Sequence, residues 1–265
     1  MITLTWDEFI EARPNGRPMA ATVGVFDGIH LGHQSLIRRV VAHGNGCVSA
    51  VFTFSENPKK LLRPDTWMGD LASPAQKLGI FESLGLELAV LIDFSGDFSR
   101  MPGRNFLSLV MDHGSLCYMT VGSDFHCGRG RDTDAAALRD FYSRSDVRVE
   151  IVEPIELDGV PVSSTRIRIA LRQGRIEEAA LMLGRSYEMD LGRALEVEGA
   201  MQRFSLPSDM LLPRLGRYRV RLSGADGDES GSLVVKDDCL ELWGFAPNSG
   251  GARVSLISLD KETKR

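Results

Sequence analysis

The chain has little cysteine. Its 265 residues include four, Cys47, Cys117, Cys127 and Cys239, widely spaced and with no Cys-x-x-Cys. That rules against a disulfide scaffold and suits a reducing compartment, so a cytoplasmic protein is expected. No apolar run approaches the ~20 residues that span a bilayer. The start, Met1 to Glu8, has no basic stretch followed by an apolar one, so no signal peptide is expected. Positive charge is not in excess: 31 Lys and Arg against 36 Asp and Glu leave a net charge of -5, which argues against nucleic acid as the main partner. There is no Gly-x-x-x-x-Gly-Lys-Ser/Thr loop, and no Gly-x-Gly-x-x-Gly after the apolar strand near residue 20, which disfavours P-loop and Rossmann chemistry. Repeats and low-complexity segments are missing too. With 43% hydrophobic and 25% charged residues, the rest is the composition of an ordinary globular protein, long enough for one large domain or two smaller ones.

What is present is concentrated first in Val23-Gly24-Val25-Phe26-Asp27-Gly28-Ile29-His30-Leu31-Gly32-His33. The apolar run Ala20 to Phe26 predicts a buried parallel strand. Gly28 and Gly32 allow backbone geometry and close approach that a side chain would block. His30 and His33, three residues apart, open the amphipathic run from Gln34 to Val41 and can face one spot at a helix start. That start offers unpaired N–H groups and a partial positive charge, an anion site. Zinc would want three or four ligands at closing distance, and no cysteine lies near, so the imidazoles suit a polyphosphate better than a metal.

Further along, strand-like runs at Cys47–Phe54, Leu86–Ile92, Leu116–Val121 and Val147–Val152 alternate with helical spacing at 74–84, 103–113 and 134–143. The rhythm predicts an α/β fold, a doubly wound parallel sheet with helices on both faces, whose ligands bind beyond the carboxyl ends of the strands. His30, the Glu56-Asn57-Pro58 turn and Asp124 would all emerge there. Two short helical runs follow at 169–173 and 176–183. Beyond Ser186 the β-rich runs 217–222, 232–236, 240–245 and 253–259 predict a small all-β, barrel-like domain, and 260–265 a solvated tail.

Ser163-Ser164-Thr165 is a natural N-cap cluster. With Arg166 and Arg168 behind it, it also reads as a phosphate surface of hydroxyls, helix N–H groups and guanidinium; Arg168 is the preferred phosphate ligand and Arg166 is read as solvated.

Phe26-Asp27-Gly28-Ile29-His30-Leu31-Gly32-His33-Gln34 and Val162-Ser163-Ser164-Thr165-Arg166-Ile167-Arg168 resemble the two signatures of the nucleotidylyltransferase superfamily. The nearest form is the prokaryotic FAD synthetase family, riboflavin kinase/FMN adenylyltransferase. Thr53-Phe54-Ser55-Glu56-Asn57-Pro58 resembles that family's Thr-Phe-x-x-His-Pro, Gly122 to Gly128 its Gly-x-Asp-Phe-x-Phe-Gly, and Leu183 to Tyr187 its Leu-Gly-Arg-x-Tyr, so the likeness runs from about 18 to 187. It implies ATP and FMN as substrates, Mg²⁺ carried with ATP, and FAD as product. It implies phosphate contacts from His30, His33, Ser164, Thr165 and Arg168. Phe26, Asp27, Gly28, Gly32, Asp124 and Ser163 join the site. Asp124 reads either as an orienting carboxylate or as a turn cap, and Asp27 either as a site member or as a turn residue. Phe54, Pro58 and Phe125 read as flavin walls or as core.

Two departures stand inside this region: Asn57 replaces a histidine, and Cys127 an aromatic. The implied division is an adenylyltransferase domain over 1–186 and a shortened kinase-like β domain over 187–265. Ser205 to Met210 stands where the kinase module carries Gly-Phe-Pro-Thr-Ala-Asn, and Met210 suits no hydrated cation. Loss of kinase activity is therefore expected, and a monomer with no nucleic-acid or membrane partner. Three alternatives remain: another phosphorylated acceptor, a retained kinase, or a non-catalytic flavin or nucleotide sensor.

Overall fold

The computed structural model describes residues 1–12, 16–43, 46–94, 96–192, 194–224, 227–245 and 253–260; all of the expected tail but Asp260 lies outside them. In chain order the first region runs β1 (Ile2–Thr5), α1 (Trp6–Glu11), β2 (Met19–Val23), α2 (Leu31–Ala42), β3 (Val48–Phe54), α3 (Pro58–Leu62), α4 (Pro74–Ser83), β4 (Leu88–Ile92), α5 (Gly103–Gly114), β5 (Leu116–Gly122), β6 (His126–Cys127), β7 (Thr133–Asp134), α6 (Ala135–Tyr142), β8 (Arg148–Val152), β9 (Glu156–Leu157) and β10 (Val160–Pro161). The second runs α7 (Ser164–Arg172), α8 (Ile176–Leu183), β11 (Tyr187–Asp190), β12 (Glu196–Glu198), β13 (Met201–Ser205), β14 (Gly216–Gly224), β15 (Gly227–Val235), β16 (Cys239–Trp243) and β17 (Arg253–Leu259).

Packing divides the described residues into two units, Met1–Asp65 with Pro74–Pro161, and Thr66–Ser73 with Val162–Arg265. The expected 186/187 division rests on motif resemblance, and we keep it as a proposed functional boundary. The packing boundary falls earlier because α7 and α8 belong with the β-rich part, as does the short excursion 66–73.

In the first unit six parallel strands lie in the order β1-β4-β3-β2-β5-β8. Alternate residues feed two cores. Met19, Ala21, Val23, Ala50, Phe52 and Val90 meet α1, α5 and α6 on one face. Ala20, Val51, Ala89 and Tyr118 meet α2 and α4 on the other. Burial on both faces explains why these strands read as continuous apolar runs. From β2 the chain winds to β3 and β4 on one side, then crosses to β5 and β8 on the other. The reversal leaves a crevice beyond the carboxyl ends of β2 and β5, where ligands of such sheets bind.

The second unit is a seven-stranded antiparallel sheet in the order β11-β17-β14-β15-β16-β13-β12, curled into a half-barrel. Tyr187, Phe204, Tyr218, Leu233, Leu242 and Leu256 are among its buried side chains. Arg168 Nε and Nη2 both donate to the Gly69 carbonyl at 3.1 Å. Asp70 N–H donates to Asp209 O and Leu211 N–H to Asp70 O, at 2.7 and 2.9 Å. Gly69 has φ +96, and a Cβ there would lie 2.6 Å from the Leu211 nitrogen, so this segment can lie so close only as glycine.

Two expectations are corrected. α7 starts at Ser164 rather than 169, with Ser163 as its N-cap. β1 and α1 were not read from the sequence at all. The edge strand β1 is mostly exposed and carries no apolar run, although the Thr5–Glu8 capping box was there to be found.

Candidate active site

The loop from β2 to α2 is strained where it turns. Phe26 and Ile29 have φ of 51° and 42°, and Gly28 has φ of 76°. A β-branched residue at positive φ is a true outlier, costing about 1–3 kcal/mol and persisting only where the surroundings dictate it. Those surroundings are identifiable. Buried Gln34 donates from Nε2 to Ile29 O at 3.0 Å. Thr53 Oγ1 donates to Val25 O at 3.1 Å, and Asn57 Nδ2 to Asp27 Oδ2 at 3.5 Å. Lys77, from α4, also reaches Val25 O, at 3.2 Å.

The turn delivers His30 to the N-cap of α2, where its side chain makes no capping bond, and His33 into the first turn. The two rings stack with centroids 3.7 Å apart and planes 19° apart. Gly32 makes that possible, since a Cβ there would lie 3.2 Å from His30 Cε1 and Nδ1. Phe26 is fully buried; its ring stands edge-on to His33 at 5.1 Å and to Phe81 at 5.8 Å, so it props the pair from the core. His33 Nδ1 is closed to solvent and makes no hydrogen bond among the described residues. Burial first, then His30, then the Lys77 cation push the His33 ring well below the usual imidazole range. The ring is therefore neutral at pH 7 and able to donate one N–H without carrying charge.

Other expected residues rise from neighbouring strand ends. Asp124 is exposed just past β5. Asn57 is buried as N-cap of α3, its Oδ1 accepting from Lys59 N–H at 3.1 Å, and Pro58 follows at the first helical position. Asn57 thus ties the α3 start to Asp27. Phe54 sits edge-on to Phe94 and Phe98 at 5.5 and 6.3 Å, and Phe125 packs on the core with Cys127. Burial raises the Cys127 thiol to about 12, which keeps it protonated and unreactive.

The second set belongs to the β-rich unit. Ser163 Oγ accepts from Arg166 N–H at 3.2 Å and caps α7. Ser164 is half-buried and Thr165 exposed in the first turn. Arg166 is not simply solvated: it is half-buried and pairs with Glu178 at 3.7 Å. Arg168 is buried, with its guanidinium on the Gly69 carbonyl. Among the described residues no group of three His, Cys, Asp or Glu side chains is arranged to hold a metal ion. No helix among them is long and apolar enough to cross a membrane.

Gln34 and Thr53 lie inside family-like stretches that give no hint of their hold on the turn, and Lys77 lies outside every such stretch. The signal for Lys77 was its spacing, four residues before buried Phe81 on an inward helix face.

The fold, with its switch-point crevice and stacked imidazoles, is accompanied by likenesses that make this an enzyme of the nucleotidyltransferase kind. The FAD synthetase family model matches residues 12–166. The bifunctional riboflavin kinase/FMN adenylyltransferase of Pseudomonas fluorescens is 30% identical over 215 residues, 80% of this chain and 68% of that protein. The FAD synthetase of Listeria monocytogenes is 27% identical over 208 residues, 77% of this chain and 82% of that one. A crystal structure described as a macrolide-efflux protein from Streptococcus pneumoniae superposes with a TM-score of 0.84 at 24% identity, over 100% of this chain and 92% of that one, and at that identity shows the fold alone. The chain belongs to the FAD synthetase family.

Proposed function

We propose that this chain is an FMN adenylyltransferase that transfers AMP from ATP to FMN, giving FAD and pyrophosphate. The observation that carries the reading is the stacked His30–His33 pair at the start of α2, beyond the carboxyl end of β2. An FMN phosphate oxygen attacks the α-phosphorus of ATP in line. The bond to the bridging oxygen breaks, and pyrophosphate leaves. Such transfers need position and charge stabilisation more than covalent help. His30 and His33 donate to the ATP phosphates and to the charge growing on the leaving group. Ser164, Thr165 and Arg168 are assigned to the β- and γ-phosphates, Asp124 to orienting the reacting phosphates, and Gly28 and Gly32 to close backbone approach. Phe54, Pro58 and Phe125 remain candidates for the flavin wall. Mg²⁺ bound to the ATP phosphates would neutralise part of their charge.

We further propose that the β domain has no riboflavin kinase activity. Met210, standing where the resemblance expects asparagine, is buried and bridges Asp70 through its backbone, which supports this. Several relatives are named as bifunctional riboflavin kinase/FMN adenylyltransferases, and that favours the second reading, a retained kinase. A cytoplasmic monomer acting on small molecules completes the proposal.

Chromatographic product analysis tests both parts. Purified chain with ATP and Mg²⁺ should make FAD from FMN and nothing from riboflavin. FMN or FAD from riboflavin would restore the kinase. No product from either would favour another phosphorylated acceptor or a sensor.

A further inference from the structure

Lys77 is buried in α4 on the face that carries Phe81. Its ammonium donates to three oxygens, Val25 O at 3.2 Å, Phe54 O at 3.1 Å and Thr53 Oγ1 at 3.3 Å. Val25 follows β2 and Phe54 ends β3, so one cation joins the carboxyl ends of two adjacent strands where the site emerges. The Val25 carbonyl, one residue before the positive-φ Phe26, is held from two sides, by Lys77 and by Thr53 Oγ1 at 3.1 Å. Burying an ammonium costs several kcal/mol of lost hydration, and an apolar side chain of like shape would pack there more cheaply. The position is therefore one where a charge, rather than a filler, is to be explained.

We propose that Lys77 is a positioning residue of the phosphate site: it fastens the turn that begins at Val25 from beneath and sets a fixed positive charge under the His30–His33 pair. This rests on reading that pair as a phosphate site. The arrangement divides the work. Lys77 and the α2 start supply the positive field, and neutral imidazole supplies directed N–H groups. Among the charged and titratable groups of the described residues, His30 from the helix cap and Lys77 from α4 bear on the His33 ring. Asp27, bonded by Asn57, is the acidic member of the turn. The Lys77 field also adds to burial in keeping His33 neutral.

The test uses the full chain and reads histidine ring resonances against pH, MgATP affinity by calorimetry, and FAD formation. In the unsubstituted protein the His33 resonance should titrate below the ~6.5 of a free imidazole; a midpoint at or above that value overturns the proposal. In Lys77→Met the midpoint should rise, MgATP should bind about tenfold more weakly, and kcat should fall about tenfold or more with KM for FMN within about twofold. Lys77→Gln keeps a donor for the carbonyls and loses the charge. It should melt closer to the parent yet show the same resonance shift and weaker MgATP binding. Should Lys77→Met fail to fold, Lys77→Gln and the parent titration decide. Variants that fold, bind MgATP as the parent does and leave His33 unmoved would reduce Lys77 to a structural strut. Failure of the FMN reading looks different, since the parent would then make no FAD while the titration and MgATP binding still report on Lys77.

Discussion

Two helix starts carry the two family-like signatures, and they are built on opposite plans. At α2 the cap residue, His30, makes no side-chain capping bond, and a neighbouring buried imidazole nitrogen has no partner among the described residues. At α7 Ser163 closes the cap and the Arg168 guanidinium is bonded to the Gly69 carbonyl. The first start holds hydrogen-bonding capacity in reserve at the cost of a strained approach. The second uses its polar groups to hold its own unit together. Similar sequence signals thus conceal one helix start with unused hydrogen-bonding capacity and another that is also a structural joint.

The sharpest test of that contrast pairs His30→Ala with Arg168→Ala. Losing one preorganised donor to developing charge costs about two to three orders of magnitude in kcat. His30→Ala should show that loss with a fall in stability no larger than the lost stacking on His33 explains, about 1 kcal/mol. Arg168→Ala should lower kcat by about two orders as well, if the guanidinium serves phosphate, on the same scale. It should also lose about 1–3 kcal/mol of stability from a hydrogen bond rather than from ring packing, because the buried Gly69 carbonyl loses its donor. Chemical denaturation alongside steady-state kinetics separates the effects. A destabilised Arg168→Ala with normal turnover would make Arg168 a strut alone, and normal turnover in His30→Ala would remove His30 from the mechanism.

A smaller effect is expected at Gly32, with opposite signs for stability and activity. Alanine is favoured over glycine in a helix by up to ~1 kcal/mol. Yet the new Cβ would stand 3.2 Å from the His30 ring, which is already stacked on His33. The ring must move by a few tenths of an ångström, away from its place. Gly32→Ala should therefore melt no lower than the parent and turn over about tenfold more slowly, since sub-ångström misplacement of a charge-stabilising group is felt in kcat. Unchanged turnover would show that the stacked geometry is not the working one.

How far the sequence was legible follows from the same contrast. The parallel sheet could be read because both faces of β2, β3, β4 and β5 are buried, leaving predominantly apolar runs, broken only by Ser and Thr, between helical periods. The edge strand β1, with exposed side chains, left no such run. In the second unit β14 to β17 were readable from their β-formers, whereas β11, β12 and β13 were passed over. The exposed β12 shows why: its Glu-Val-Glu has no face in the core. The imidazole pair and its glycines were legible because spacing alone places them on one helix turn. How the turn is held was not, because Thr53 and Lys77, like Asn57 whose motif placed it near the site, act on Val25, Phe54 and Asp27 across 23 or more residues of chain. Nor could any local pattern reveal that Gly69 accepts from Arg168, a contact 99 residues apart in the chain.

The smallest effect concerns proton linkage, and it should belong to the α2 start alone. The His33 ring is held below the usual imidazole range in the folded protein, by burial first. The unfolded chain, with a midpoint near 6.5, then binds more protons than the folded one as pH falls through that value. Stability contributed by the neutral ring is fully present above the unfolded midpoint and drains away below it. Between pH 7 and 5.5 the loss is about 1 kcal/mol if the folded midpoint lies under that window. Several carboxylates, among them Glu87 and Glu150, are held low by Arg17 and Tyr118, and they act in the same direction only at more acidic pH, where unfolded carboxylates near 4.3 begin to protonate. The window from 7 to 5.5 therefore leaves the carboxylates out, and comparison with a His33 variant separates this ring from the other histidines. Denaturation of the parent and of His33→Asn across it should give a slope in the first that is missing from the second. Equal slopes would mean that His33 takes up its proton in the fold as readily as in water, and that the α2 start is wetter than its geometry implies.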